Sequence, residues 1–312
     1  MKNIYKALCF VVLATVLVAC PKDDRPGVIS IRDRQEVYTE NLAEIEAYLK
    51  DNYLTVDANM DATVTEIPDG GAQASIWDQT DYELQSMTVK NDVRNSLLVD
   101  GLFNDPVDYK VYYIVLDEGE GFTPTSVDST FTAYRGWNLS NITFDQNTQG
   151  TWSSFPESNV SFISGYRQIL SKIKTDIISP SDINSNGTIT RTNFGNVIVF
   201  IPSGLAYFSN TSVNIAQYSS ICFQIKLYTR RERDHDGDKV KSKYEDINNN
   251  GDYFDDDTDG DNLPDFFDLD DDGDGLLTKN ENTYDLSGVV IIPFADCDGD
   301  GVPNYLDTDI CI

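Results

Sequence analysis

The chain has 312 residues, 40% of them apolar and including 17 Tyr and 15 Phe, which is enough for a leader, one packed domain and appendages. Its formal net charge of −29 excludes nucleic acid as a partner, because phosphates would be repelled rather than neutralised. The charge is uneven: from Asp234 onward 24 acids face 4 Lys, which marks a separate acidic module.

Residues 1–20 read as an export signal. Lys2 and Lys6 precede the apolar run Ala7 to Ala19, which is too short to span a bilayer comfortably. The run ends Leu17-Val18-Ala19-Cys20, which resembles a bacterial lipobox. That resemblance implies lipidation of Cys20, with each buried methylene contributing about 0.8 kcal/mol of membrane affinity. Pro21-Lys22-Asp23-Asp24 resembles the signal that sends some lipoproteins to the outer face, and equally reads as a solvated tether. The expected location is the bacterial cell envelope, lipid-anchored at the outer membrane, periplasmic or surface-exposed. Cys9 leaves with the signal, and Cys222 sits in an apolar strand pattern as an inert thiol. In an oxidising compartment Cys297 and Cys311 could close a disulfide around the last acidic loop.

Residues 21–107 comprise a tether, a helix and an extension. Tyr38, Leu42, Ile45 and Leu49 recur at helical spacing and predict a helix from Arg32 to Tyr53, whose apolar face must pack on something. Thr55 to Pro106 shows a turn at Pro68-Asp69-Gly70-Gly71 and no sustained periodicity.

Residues 108–231 carry four ordered segments. FTAYRGWNLSNITFD spans Phe131 to Asp145, and Phe162-Ile163-Ser164-Gly165-Tyr166-Arg167 follows. VIVFIPSGLAY then spans Val197 to Tyr207, and ICFQIKLY spans Ile221 to Tyr228. In type and order these resemble the pocket segments of the FK506-binding-protein (FKBP) family. The resemblance implies an α+β fold, in which an antiparallel half-barrel sheet wraps one helix. It assigns Tyr134, Phe144, Asp145, Tyr166, Tyr207 and Phe223 to catalysis of peptidyl-prolyl isomerisation. Trp152, Phe162, Ile163 and Ile215 would complete the substrate pocket. Asp145 would be a buried carboxylate and Tyr207 the hydroxyl that meets the substrate carbonyl. The N-terminal helix would then form a dimer or chaperone arm, or lie back on its own domain.

The reaction needs no catalytic cofactor. Rotating an amide costs about 18–20 kcal/mol because resonance is broken, and a desolvated aromatic pocket can prefer the twisted form. Several positions depart from the family. Tyr166 replaces the usual Trp, Phe208 replaces a Gly, the loop from Ser209 to Asn214 lacks Gly and Pro, and an insertion of loop or hairpin type occupies residues 174–196.

Residues 232–312 form an irregular acidic extension with phased carboxylates. A 12-residue calcium loop takes ligands from positions 1, 3, 5 and 12, with Gly at position 6. Asp270, Asp272, Asp274, Gly275 and Glu281 fit, as do Asp296, Asp298, Asp300, Gly301 and Asp307. Asp257, Asp259, Asp261 and Asp268 fit with Asn262 at position 6, and Asp246, Asn248, Asn250, Gly251 and Asp257 form another frame. Asp234, Asp236, Asp238 and Glu245 fit least well, with Lys239 in place of Gly. The shared acids resemble thrombospondin type 3 repeats, which implies structural calcium, whose binding would also be folding.

Three function classes follow. One is an isomerase or folding chaperone for proline-containing exported polypeptides. The others are a non-catalytic FKBP-like binding module and a calcium-dependent structural or adhesion lipoprotein.

Overall fold

The structure, a computed structural model, describes residues 31–95, 105–157 and 161–309. The chain divides into Met1–Arg32 and Asp33–Ile312, and among the described residues every helix and strand belongs to the second unit. The expected signal, Cys20 and Cys311 lie outside the described residues. Among the described residues no helix is long and apolar enough to cross a membrane.

Helix α1 (Arg34–Asp51) starts where the Asp33 carboxylate accepts from the Glu36 amide at 2.9 Å. It ends two residues short of expectation, because Asn52 turns extended and begins a hairpin, β1 (Asn52–Val56) with β2 (Ala62–Glu66). The buried stripe is Val37, Asn41, Ile45, Tyr48 and Leu49, with Tyr38 and Leu42 as half-buried flanks. This stripe lies on the chain's own sheet: Ile45, Tyr48 and Leu49 share a core with Ile114, Phe200 and Cys222. Asn41 sits in the stripe without a desolvation penalty, because its amide oxygen accepts from Ser203 N (2.9 Å) and Oγ (2.6 Å) and its nitrogen donates to Tyr218 O (2.8 Å).

The sheet has six antiparallel strands. They are β3 (Leu84–Val89), β4 (Tyr109–Asp117), β5 (Ser129–Asn138), β6 (Thr143–Ser154), β7 (Gly195–Ile201) and β8 (Ile221–Arg231), in the spatial order β3-β4-β7-β8-β5-β6. It therefore begins before residue 108. Edge strand β3 escapes a reading for period, because its Gln85, Ser86 and Thr88 leave too short an apolar pattern to see.

Central strand β7 is buried at all seven residues, as a strand covered on both faces must be. Val197, Val199 and Ile201 face one core, while Ile198 and Phe200 face α1 and the hairpin. The first core also takes helix α2 (Ser164–Ile169), through Tyr166 and Ile169. Helix α2 is short, six residues followed by the 3₁₀ turn Leu170–Lys172. The insertion is a small hairpin, with Asn184–Gly187 at its turn and Ile183 bridged to Ile189.

The acidic residues are not a separate body. Tyr253 and Phe266 share a small core with Val127, Phe155 packs on Phe254, and Arg94 pairs with Asp252 at 2.7 Å while lying over the Phe254 ring at 4.2 Å.

Candidate functional site

Five of the aromatic residues singled out in the sequence converge where β5, β6, β8 and α2 meet. Tyr134 is 5.4 Å from Phe162, 5.8 Å from Tyr166 and 5.9 Å from Phe223, ring centre to ring centre, all edge-on. Phe144 meets Phe223 at 5.4 Å. Ile163, Ile215 and Tyr207 belong to the same core. Gly136 makes this possible: a Cβ there would lie 2.6 Å from Phe144 and 2.7 Å from Phe223, so any side chain would push the rings apart.

Polar groups lie beside these rings. Tyr134 donates to Asp145 Oδ2 at 2.8 Å. Burial, then this bond and the Asp145 charge, push the Tyr134 phenol up to about 12, so it remains a donor at neutral pH. Burial and the Asp145 charge also raise Tyr207.

Three expectations change here. Asp145 is exposed rather than buried, because β6 is an edge strand. Tyr166 has no exposed surface: Phe162 stacks on it at 4.2 Å, and its hydroxyl is consumed by Thr132 Oγ1 at 2.9 Å. It lies beneath the other rings, with its hydroxyl turned to β5. Trp152 is not in the pocket at all. It pairs with Phe131 at the far end of β6, 5.3 Å ring to ring, with Arg231 over its ring at 4.2 Å. Phe208, the residue in the Gly position, does adopt a left-handed backbone at φ 47°, as that position demands. Its ring packs on Tyr218 and beneath Arg34.

The acidic residues form five loops with one shared geometry. In each, the fourth and sixth residues are left-handed. These pairs are Gly237 and Lys239, Asn249 and Gly251, Gly260 and Asn262, Gly273 and Gly275, and Gly299 and Gly301. In each, the fifth side chain accepts from the seventh amide: Asp238 from Val240, Asn250 from Asp252, Asp261 from Leu263, Asp274 from Leu276 and Asp300 from Val302. The Lys239 frame therefore has the same form as the rest, at φ 80°. Sequence reasoning missed a second device. In four loops the ninth side chain accepts from the second amide, namely Ser242 from His235, Asp265 from Thr258, Thr278 from Asp271 and Asn304 from Cys297.

The loops bring carboxylates together. Oxygens of Asp257, Asp259 and Asp261 lie within 4.8 Å of one another, as do those of Asp270, Asp272 and Asp274, and of Asp296, Asp298 and Asp300. Glu281 feels the second group: burial and the charges of Asp272, Asp274 and Asp270 push it up to about 8. Burial raises Asp268 as well, with Asp261 and Asp259 adding to it. Asp307 joins Asp298 and Asp309, the last of which the frames had not included. Donor sets made only of oxygen fit a hard divalent cation. Cys222 is a buried free thiol, and Cys297 is disulfide-bonded.

Residues 235–291 match the family model described as BamM C-terminal. No curated protein matches the chain. Among solved structures, FkpA from Escherichia coli aligns at 20% identity over 39% of this chain and 48% of its own length, with a TM-score of 0.30. A peptidyl-prolyl cis-trans isomerase from Pseudomonas syringae aligns at 22% identity over 39% of this chain and 76% of its own, at 0.31. The N-terminal domain of FKBP42 from Arabidopsis thaliana aligns at 15% identity over 47% of this chain and 100% of its own, also at 0.31. The chain thus spans about half the length of FkpA.

Proposed function

We propose that the aromatic pocket is an FKBP-like peptidyl-prolyl cis-trans isomerase site, or a chaperone site of that kind, acting on proline-containing exported polypeptides. The protein would be held by a lipid on Cys20 at the bacterial outer membrane, with calcium in the acidic loops as a structural ion. The observation that carries the reading is the union of Tyr134, Phe144, Phe162 and Phe223 with the Tyr134–Asp145 hydrogen bond beside them. A proline ring fits an apolar surface of this kind. The Tyr207 hydroxyl remains protonated and can donate to the carbonyl of the bond being rotated. Such a site works by desolvation and by preferring the twisted amide, without a nucleophile. The match of residues 235–291 to the BamM C-terminal model supports the outer-membrane location.

A second reading has its own observation. Tyr166 is fully buried under Phe162, so the floor on which a proline would rest is narrowed. A pocket in that state binds proline peptides without accelerating their isomerisation. Isomerisation of a proline tetrapeptide, followed beside a Tyr207→Phe, Asp145→Ala double variant, separates the two. Turnover that disappears in the double variant supports the isomerase. Binding of the same peptide with a rate equal to buffer supports the binding module.

A further inference from the structure

One group of carboxylates belongs to no single loop. Asp236, Asp238 and Glu245 come from the first loop, and Asp271 comes from the second position of the loop that starts at Asp270. One oxygen from each lies within 4.8 Å of the others. We propose that these four residues bind a buried divalent cation, of the hard, oxygen-ligated class that includes calcium. On this proposal the ion ties the first acidic loop to the fourth.

The burial is what separates this group from an ordinary acidic cluster. Asp238 and Glu245 are 0% exposed and Asp271 is 1% exposed. Both oxygens of Glu245 and both of Asp271 lack any hydrogen-bond partner, as does Oδ2 of Asp236 and of Asp238. The other oxygens of Asp236 and Asp238 are used within the loop, accepting from the amides of Asp238 (3.1 Å) and Val240 (2.8 Å). Six orphaned carboxylate oxygens therefore lie inside the protein.

Among the described residues no Lys or Arg forms an ion pair with any of the four; the nearby Lys241 pairs with Asp234 at 3.8 Å. A buried carboxylate without partners is strongly unfavourable, and four together are worse. A divalent cation supplies both the charge and the bonds. Oxygens up to 4.8 Å apart match opposite ligands around an ion with bonds of about 2.3–2.6 Å. A magnesium ion, at about 2.0–2.1 Å, would require the cluster to contract. The absence of nitrogen and sulfur donors argues against the softer transition metals.

Asp271 is also unavailable to its own loop. Its amide donates to Thr278 Oγ1 at 3.2 Å, which fixes the local backbone, while its carboxylate joins the first loop's three. The site stands whether or not the outer loops fill, and whether or not the aromatic pocket turns over proline.

The experiment counts calcium bound per full-length chain by equilibrium dialysis and native mass spectrometry. It compares the unaltered protein, Glu245→Gln, Asp271→Asn, their double variant, and Asp298→Asn in the outermost loop. The amides keep the shape and relieve repulsion, so the metal-free folds should survive. Glu245→Gln and Asp271→Asn should each lose the same single ion, so the double variant loses no more than either alone, and each should show a smaller rise in Tm on adding calcium. Asp298→Asn should leave that ion in place. If both variants keep the unaltered protein's calcium count, and are more stable without calcium while responding to it equally, the four acids share protons and the proposal is overturned. Exchange of radiolabelled calcium from the unaltered chain is an independent check. A buried ion gives a slow phase, and its absence also overturns the site.

Discussion

The Tyr134 hydroxyl donates to Asp145 Oδ2 at 2.8 Å, joining an inner strand to the exposed carboxylate of an edge strand beside the aromatic cluster. Because Asp145 is exposed, this bond contributes little to folding. If the pocket is an isomerase, the same bond fixes the wall against which proline rests. Tyr134→Phe should therefore lower kcat/KM for a proline tetrapeptide roughly tenfold, equivalent to about 1.4 kcal/mol in the barrier. Its urea midpoint should hardly move. A variant that unfolds more readily but turns over normally would remove Tyr134 from the functional wall.

Gly136→Ala should destabilise the fold by about 1–3 kcal/mol, the usual cost of overpacking a core. The added methyl would meet the Phe144 and Phe223 rings at 2.6–2.7 Å. Denaturant unfolding gives the loss, and near-ultraviolet circular dichroism should report the displaced rings. An unchanged midpoint would mean that the rings part at no cost.

Asn41→Ala should cost about 1–3 kcal/mol, because it strands the Ser203 amide and hydroxyl under α1 and removes the donor to the Tyr218 carbonyl. Asn41→Asp retains an acceptor for Ser203 but loses the donor to Tyr218, so it should recover part of the loss. Thermal unfolding that ranks the aspartate variant below the alanine one would contradict this assignment.

Without metal, stability should fall as pH rises. Burial pushes Asp271 up to about 9, and Asp236 and Glu281 up to about 8, whereas in an unfolded chain such groups titrate near 4. The folded state thus holds protons that the unfolded state releases. The stability they contribute is full below about pH 4 and is lost as pH climbs through about 8–9. In chelator, Tm should decline from pH 5 to pH 9. With calcium that decline should flatten or reverse, because cation and proton compete for the same oxygens. A chelated protein whose Tm climbs over this range would show that the clusters are not poised in this way.

Much of this was legible in residue order, and the failures have particular causes. Strands β5, β7 and β8 lie in segments read from the sequence, and Tyr134, Phe144, Phe162, Tyr166, Ile215 and Phe223 do meet. Trp152 misleads because β5 and β6 pair over a long register with irregularities, which leaves it opposite Phe131 and away from the pocket. Asp145 looks buried beside Phe144 until the strand order puts β6 at an edge. Frames judged by glycine at the sixth position undervalue the first loop, since Lys239 takes the same left-handed turn. Asp271 cannot be found by counting, because its partners lie in a different loop.

That last feature bears on the order in which the acidic repeats assemble. Turns closed by a ninth side chain on a second amide are local, and each can form and dissolve by itself in the way short loops do. The meeting of Asp271 with Asp238 and Glu245 is long-range and must wait for the intervening chain to come round. The repeats are thus written as beads, yet they must finish as a knot: none of the stretch from Asp236 to Asp271 is complete until its two ends have found each other.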